Sequence, residues 1–247
     1  MPLPLPGAVG LSHLRAYEWE AADGVCGGSP HVHLACTEAY VVTAGSGAVQ
    51  TLSVEGGYRE VQLREGAVTW FAPGTVHRMV RGEGGDGGAL RVTVLMENSG
   101  LPEAGDAVFT FPAEVLGDVA RYAEAADVGD ETAARRRRDL AVEGYLGLRE
   151  VLRAGDVEPY REFLRAAAGL VRDRVPKWRE LWEAGAVAAV RRTGERLEAL
   201  GVGDVRYLEG AGVWDVEPSR RGGLGMCGWR DEYGLPVGRL RRRVAVR

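Results

Sequence analysis

The segment Pro30-His31-Val32-His33-Leu34-Ala35-Cys36-Thr37-Glu38-Ala39-Tyr40 places two histidines one residue apart in a stretch that reads as extended chain. Side chains of a strand alternate between its faces, so His31 and His33 project together. Glu38 lies five residues past His33, an odd offset that an unbroken strand would send to the opposite face. A turn between Leu34 and Thr37 resets the register and returns Glu38 to the histidines' side on the next strand. Tyr40 shares the parity of Glu38 and is expected to face the same interior.

A fourth residue enters from Trp70-Phe71-Ala72-Pro73-Gly74-Thr75-Val76-His77, where a Pro-Gly turn passes one strand to another. In a closed sheet that second strand can lie beside the first pair. Three imidazoles and a carboxylate form a mixed nitrogen and oxygen set suited to Fe(II), Mn(II), Ni(II), Cu(II) or Zn(II). The expected cofactor is therefore one divalent metal ion held by His31, His33, Glu38 and His77.

Working outward, residues 11 to 98 break into short β-rich runs, among them HLRAYEWE, AYVVT, AVQTLSV, YREVQL, AVTWFA, HRMVR and ALRVTVLM. Glycine-rich turns separate them, which points to an antiparallel sandwich or barrel. If AGSG makes a tight hairpin, Thr43 faces Ala48 and Tyr40 faces Thr51, turning Thr51 inward and Gln50 outward. Phe71, or Trp70 on the other parity, is expected to line a wall.

After LPEAGD the texture becomes helical, with Leu140, Tyr145, Leu148, Val151 and Leu152 in period. A second helix is expected from Asp156 with Pro159 in its first turn, and Pro176 ends or kinks it. A third stretch runs from Trp178 to Gly201. The expectation is a mainly β protein: a barrel over 8–112, a helical extension over 113–204, and an irregular tail over 205–247 that packs on the barrel.

These motifs resemble those of the cupins. His31-x-His33-x4-Glu38-x6-Gly45 is similar to the first cupin motif, and Gly66 with Pro73-Gly74-x2-His77 is similar to the second. The resemblance covers roughly residues 10 to 100 and implies a jelly-roll barrel whose cavity holds one metal. Cupins of this kind include dioxygenases acting on quercetin or cysteine, the activity the resemblance implies first. Sugar or keto-acid isomerisation and a binding or regulatory role without turnover are the alternatives. Glu38 and Tyr40 are the candidate catalytic residues. No other inward Glu, Lys or His stands in the motif segments, which favours oxygenase over proton-transfer chemistry. Arg78, Arg81 or Arg91 would supply a basic pocket for a phosphorylated sugar if they turn inward. The helices are expected to cap the barrel mouth or form a dimer interface.

The chain has 247 residues, a net charge of −4 and 45% hydrophobic residues, which suits a folded protein without a basic field for nucleic acid or anionic lipid. The expected partners are a small-molecule substrate and a second copy in a homodimer, with no nucleic acid and no membrane. Cys26, Cys36 and Cys227 have neither zinc-ribbon spacing nor an even count, and the amino-terminal sequence lacks the marks of a signal peptide, so a cytoplasmic location is expected. Cys36 reads as a small buried residue, and Cys227 receives no chemical role. His13 reads as structural or exposed. Gly82-x-Gly84-x-x-Gly87 and Gly223-x-Gly225-x-x-Gly228 lack the strand and helix of a dinucleotide site and read as loops. Arg135 to Arg138 read as a solvated helical face, and Arg239 to Arg243 as a tail and the one basic patch to test for anionic partners.

Overall fold

A computed structural model describes residues 5–82, 89–233 and 241–243. The 82–88 loop and the 239–243 cluster therefore fall largely outside the described residues.

The barrel strands are β1 (Gly10–Ala16), β2 (His31–His33), β3 (Glu38–Ala44), β4 (Ser46–Ser53), β5 (Gly57–Arg64), β6 (Val68–Phe71), β7 (Val76–Arg81), β8 (Arg91–Met96) and β9 (Ala107–Phe109). Helices follow as α1 (Ala113–Leu116), α2 (Val119–Ala126), α3 (Glu131–Arg153), α4 (Glu158–Val171), α5 (Val175–Trp182) and α6 (Ala188–Gly201). The carboxy-terminal part returns to strand in β10 (Val213–Asp215), β11 (Arg220–Leu224), β12 (Gly228–Glu232) and β13 (Arg241–Arg243). Two antiparallel sheets result, ordered β11-β12-β1-β8-β3-β6 and β5-β4-β7-β2-β9, with β10 and β13 pairing separately. The double-sheet jelly roll is the barrel that the cupin resemblance implies, and the helices after it are those that the periodicity predicts.

The AGSG expectation fails. Tyr40 pairs with Thr69 and Val94, and Thr51 pairs with Arg59 and His77, so β3 and β4 belong to different sheets. Gly45 turns the chain from one sheet to the other with a φ of +73°, a conformation glycine adopts without strain. A Cβ there would fall 2.6 Å from the Ala89 carbonyl oxygen. The inward aim of Thr51 nonetheless follows from its place opposite His77, because directly paired residues share a face.

The outer face of the five-stranded sheet carries the helices. α3 packs on β4 and β5, and α4 packs on α3. Tyr145 donates to Gln50 Oε1 at 3.1 Å, while Tyr160 Oη accepts from Val76 N at 3.1 Å and donates to Leu52 O at 2.8 Å. Tyr145 and Tyr160 are fully buried and belong to one apolar core shared with Leu52, Val76 and Phe109. Pro159 sits in the first turn of α4, and Pro176 in the first turn of α5 after a 3-10 turn over Arg172–Arg174. The proline thus separates two helices, because the amide it lacks is one a first helical turn leaves free.

Arg135 to Arg138 also need correction. Arg137 and Arg138 are buried. Each helical residue advances about 100°, so four in a row encircle the axis and cannot all face solvent. Arg138 donates to the carbonyls of Trp19, Glu20 and Gly27, and Arg137 donates to the Gly225 carbonyl at 2.9 Å. The carboxy-terminal stretch is ordered in part: β12 pairs with β1 from Ser12↔Glu232 to Ala16↔Gly228, adding a hairpin to the larger sheet.

Candidate metal centre

Two strands of the smaller sheet and one strand of the larger converge on a point inside the barrel. His31 and His33 leave the same face of β2, and His31 pairs directly with His77 on β7. The bend over Leu34 and Ala35 carries the chain across to the other sheet, where Glu38 opens β3. One ligand atom from each of His31, His33, Glu38 and His77 lies within 4.8 Å of all the others, and all four side chains are buried. The odd offset of Glu38 is thereby resolved, since it faces the histidines from the opposite wall.

Outer hydrogen bonds fix the direction of each ring. His31 Nδ1 donates to Ser29 O at 2.8 Å, His77 Nδ1 to Thr75 O at 3.1 Å, and His33 Nδ1 to Asp106 Oδ2 at 3.0 Å. A carbonyl only accepts, so His31 and His77 carry a proton on Nδ1 and turn Nε2 toward the interior. These two Nε2 atoms stand 3.0 Å apart. Glu38 Oε2 lies 2.9 Å from His77 Nε2 and 3.3 Å from His33 Nε2, yet it is buried without a hydrogen bond of sound geometry. Converging ring nitrogens and a carboxylate oxygen in one dry space are the pattern a cation satisfies.

The electrostatics agree with that arrangement. Burial, reinforced by His77 and His33, holds His31 well below its ordinary value. Burial also lowers His33, but Asp106 and Glu38 outweigh it and raise the imidazole to about 9. Burial would raise Glu38, and the neighbouring His77 and His33 reverse this and hold it ionised.

Asp106, at the entrance to β9, was not visible as a site residue. It lies in LPEAGD, which the sequence marks only as a change of texture. Its carboxylate is fully buried and also accepts from Leu34 N (3.1 Å), Ala35 N (2.7 Å) and Cys36 N (3.3 Å). One residue thus shapes the bend between His33 and Glu38 and fixes the His33 tautomer. Asp106→Asn is expected to weaken metal affinity about 10- to 100-fold by calorimetric titration, because an amide offers donors where backbone N–H groups already point. Unchanged affinity would remove Asp106 from the centre.

Tyr40 is buried beside the group, edge-on to Phe71 with ring centroids 5.2 Å apart. Burial, with Cys227 and Glu38 nearby, pushes its phenol well above 10. Phe71 stands 4.2 Å from the His77 ring, whereas Trp70 is 69% exposed, which decides between the two parities. Arg78 is buried but turned to the outer face, where it pairs with Asp23 at 2.6 Å. Arg91 is exposed and Arg81 half-buried. Cys36 is buried as expected, and His13 is half-buried with Thr93 Oγ1 3.0 Å from its Nδ1. Cys227, which had no role, has its Sγ 3.9 Å from His31 Nε2 and 3.3 Å from Tyr40 Oη.

No family model matches this chain, and no curated protein matches it. Solved structures that match include a cupin protein from Bacteroides fragilis, with 20% identity over 37% of this chain and 65% of that one and a TM-score of 0.26. A predicted oxalate decarboxylase from Thermotoga maritima matches with 16% identity over 35% and 64%, TM-score 0.26. Oxalate decarboxylase from Bacillus subtilis matches with 20% identity over 38% and 23%, TM-score 0.29. The chain spans less than two thirds of the length of each of these three. By its own sheet topology and motifs, this chain has a barrel of the cupin type.

Proposed function

We propose that His31, His33, Glu38 and His77 hold one divalent metal ion and that the protein acts on a small polar molecule, best read as a dioxygenase. The observation that carries this reading is the convergence of three imidazole Nε2 atoms and Glu38 Oε2, with every Nδ1 already bonded on its outer side. When bound, such an ion supplies redox or Lewis-acid activation of a chelating substrate. The chain's own residues position and shield it: Asp106 orients His33, while Phe71 and Tyr40 exclude water from one side.

Proton-transfer isomerisation is less well supported because, among the described residues, no free base stands beside the group. Asp106 is committed to four donors, and burial keeps the Tyr40 phenol protonated. Among Arg78, Arg81 and Arg91, the one buried guanidinium is engaged by Asp23 on the far face, so a phosphate has no cation to meet there.

A non-catalytic binding role is the second reading, favoured by how closed the centre is: the four residues are between 0% and 7% exposed. Elemental analysis of protein purified without added metal, with oxygen uptake on candidate diols and thiols, separates these readings. Stoichiometric iron or copper with oxygen uptake is expected. Manganese, nickel or zinc without uptake would shift the reading to isomerase or lyase chemistry, and metal-free protein would favour the binding role.

A further inference from the structure

Cys227 sits at the tip of the β11–β12 hairpin, 150 residues beyond His77, and is only 4% exposed. Two anchors hold the tip: Tyr17 Oη and Arg137 both donate to the Gly225 carbonyl at 2.9 Å, and Ser29 N donates to Met226 O at 2.7 Å. Gly28 makes the approach possible, because a Cβ on it would lie 2.6 Å from Cys227 Cα. The thiol is thereby inserted just ahead of His31, on its ring side.

Resting on the metal reading above, we propose that Cys227 is a fifth protein ligand of the ion, binding as thiolate from the His31 side and giving the centre a preference for softer metals. Bonds of ~2.3 Å to sulfur and ~2.1 Å to nitrogen separate the two ligand atoms by about 3.1 Å at a right angle and about 4.4 Å in line. The observed 3.9 Å between Sγ and His31 Nε2 falls within that span. The unmatched, buried Glu38 Oε2 points independently to a cation in the same space. Tyr40 Oη, 3.3 Å from Sγ, can donate to the thiolate once its proton has left to solvent. The other two thiols are turned away: Cys26 Sγ bonds the Glu18 carbonyl, and Cys36 Sγ is directed at Asp106 and Asn98.

X-ray absorption on the full-length zinc-loaded protein tests this. One sulfur at ~2.3 Å is expected beside nitrogen and oxygen scatterers at ~2.1 Å, lost in Cys227→Ser and kept in Cys26→Ser and Cys36→Ser. The ratio of Mn(II) to Zn(II) dissociation constants is expected to fall at least about tenfold in Cys227→Ser, since a thiolate favours the softer ion. Zinc bound stoichiometrically with nitrogen and oxygen scatterers alone would overturn the proposal and leave the metal reading standing. Failure of the wild-type protein to take up any divalent ion would overturn both.

Discussion

His33→Ala is expected to weaken metal affinity roughly a hundredfold and to flatten its pH dependence. Structural sites of four ligands bind with about 10–16 kcal/mol, so one ligand is worth ~3 kcal/mol, or about two decades in affinity. His33 also carries the proton that metal must displace, because in the metal-free protein Asp106 and Glu38 overcome burial and hold it at about 9. Wild-type affinity should therefore rise with pH, by up to about tenfold per pH unit for one released proton, and level off above about 9. The sign for folding is opposite. A value raised in the folded state stabilises the metal-free protein fully below the ordinary 6.5 of histidine, and that contribution is lost as pH rises through about 9. Titration calorimetry in buffers of different ionisation enthalpy checks the first, and thermal unfolding between pH 6 and about pH 10 checks the second. Equal affinity at every pH in the wild type would show that His33 is not protonated before metal enters.

Removing residues 114–247 is expected to leave a barrel that aggregates. The outer face of the five-stranded sheet is covered by Tyr145, Tyr160 and Phe163, which share its core. Each large apolar side chain uncovered forfeits roughly 1.5–3 kcal/mol, so the loss of these three, about 4.5–9 kcal/mol, rivals a domain's whole stability of about 5–15 kcal/mol. The deletion also strips β12 from β1, exposing a strand edge of five paired positions that can recruit other chains. Light scattering of the purified fragment decides the matter, and a soluble monomer with full metal affinity would refute it.

The four clustered side chains were legible because short-range rules govern them. HxH on one strand, the odd offset of Glu38 and the Pro-Gly turn before His77 each follow from alternation and turn chemistry. The hairpin at AGSG was misread because the same sequence permits a corner between sheets, where Gly45 lies against the backbone of Ala89. Asp106 went unread, and Cys227 was left without a role, for a related reason: each approaches the centre through contacts about seventy to two hundred residues apart in sequence. Arg137 and Arg138 were hidden by charge composition, although helical geometry alone implies that part of a four-arginine run must turn inward.

The order of synthesis gives the β12–β1 pairing a temporal meaning. His31, His33, Glu38 and His77 all leave the ribosome well before Gly228, so the nascent barrel presents its centre while the last wall is still being made. Ions can then arrive freely from the surroundings. Once that hairpin zips onto the first strand the centre is enclosed, and on the metal reading exchange of one ion for another is expected to require peeling β12 away.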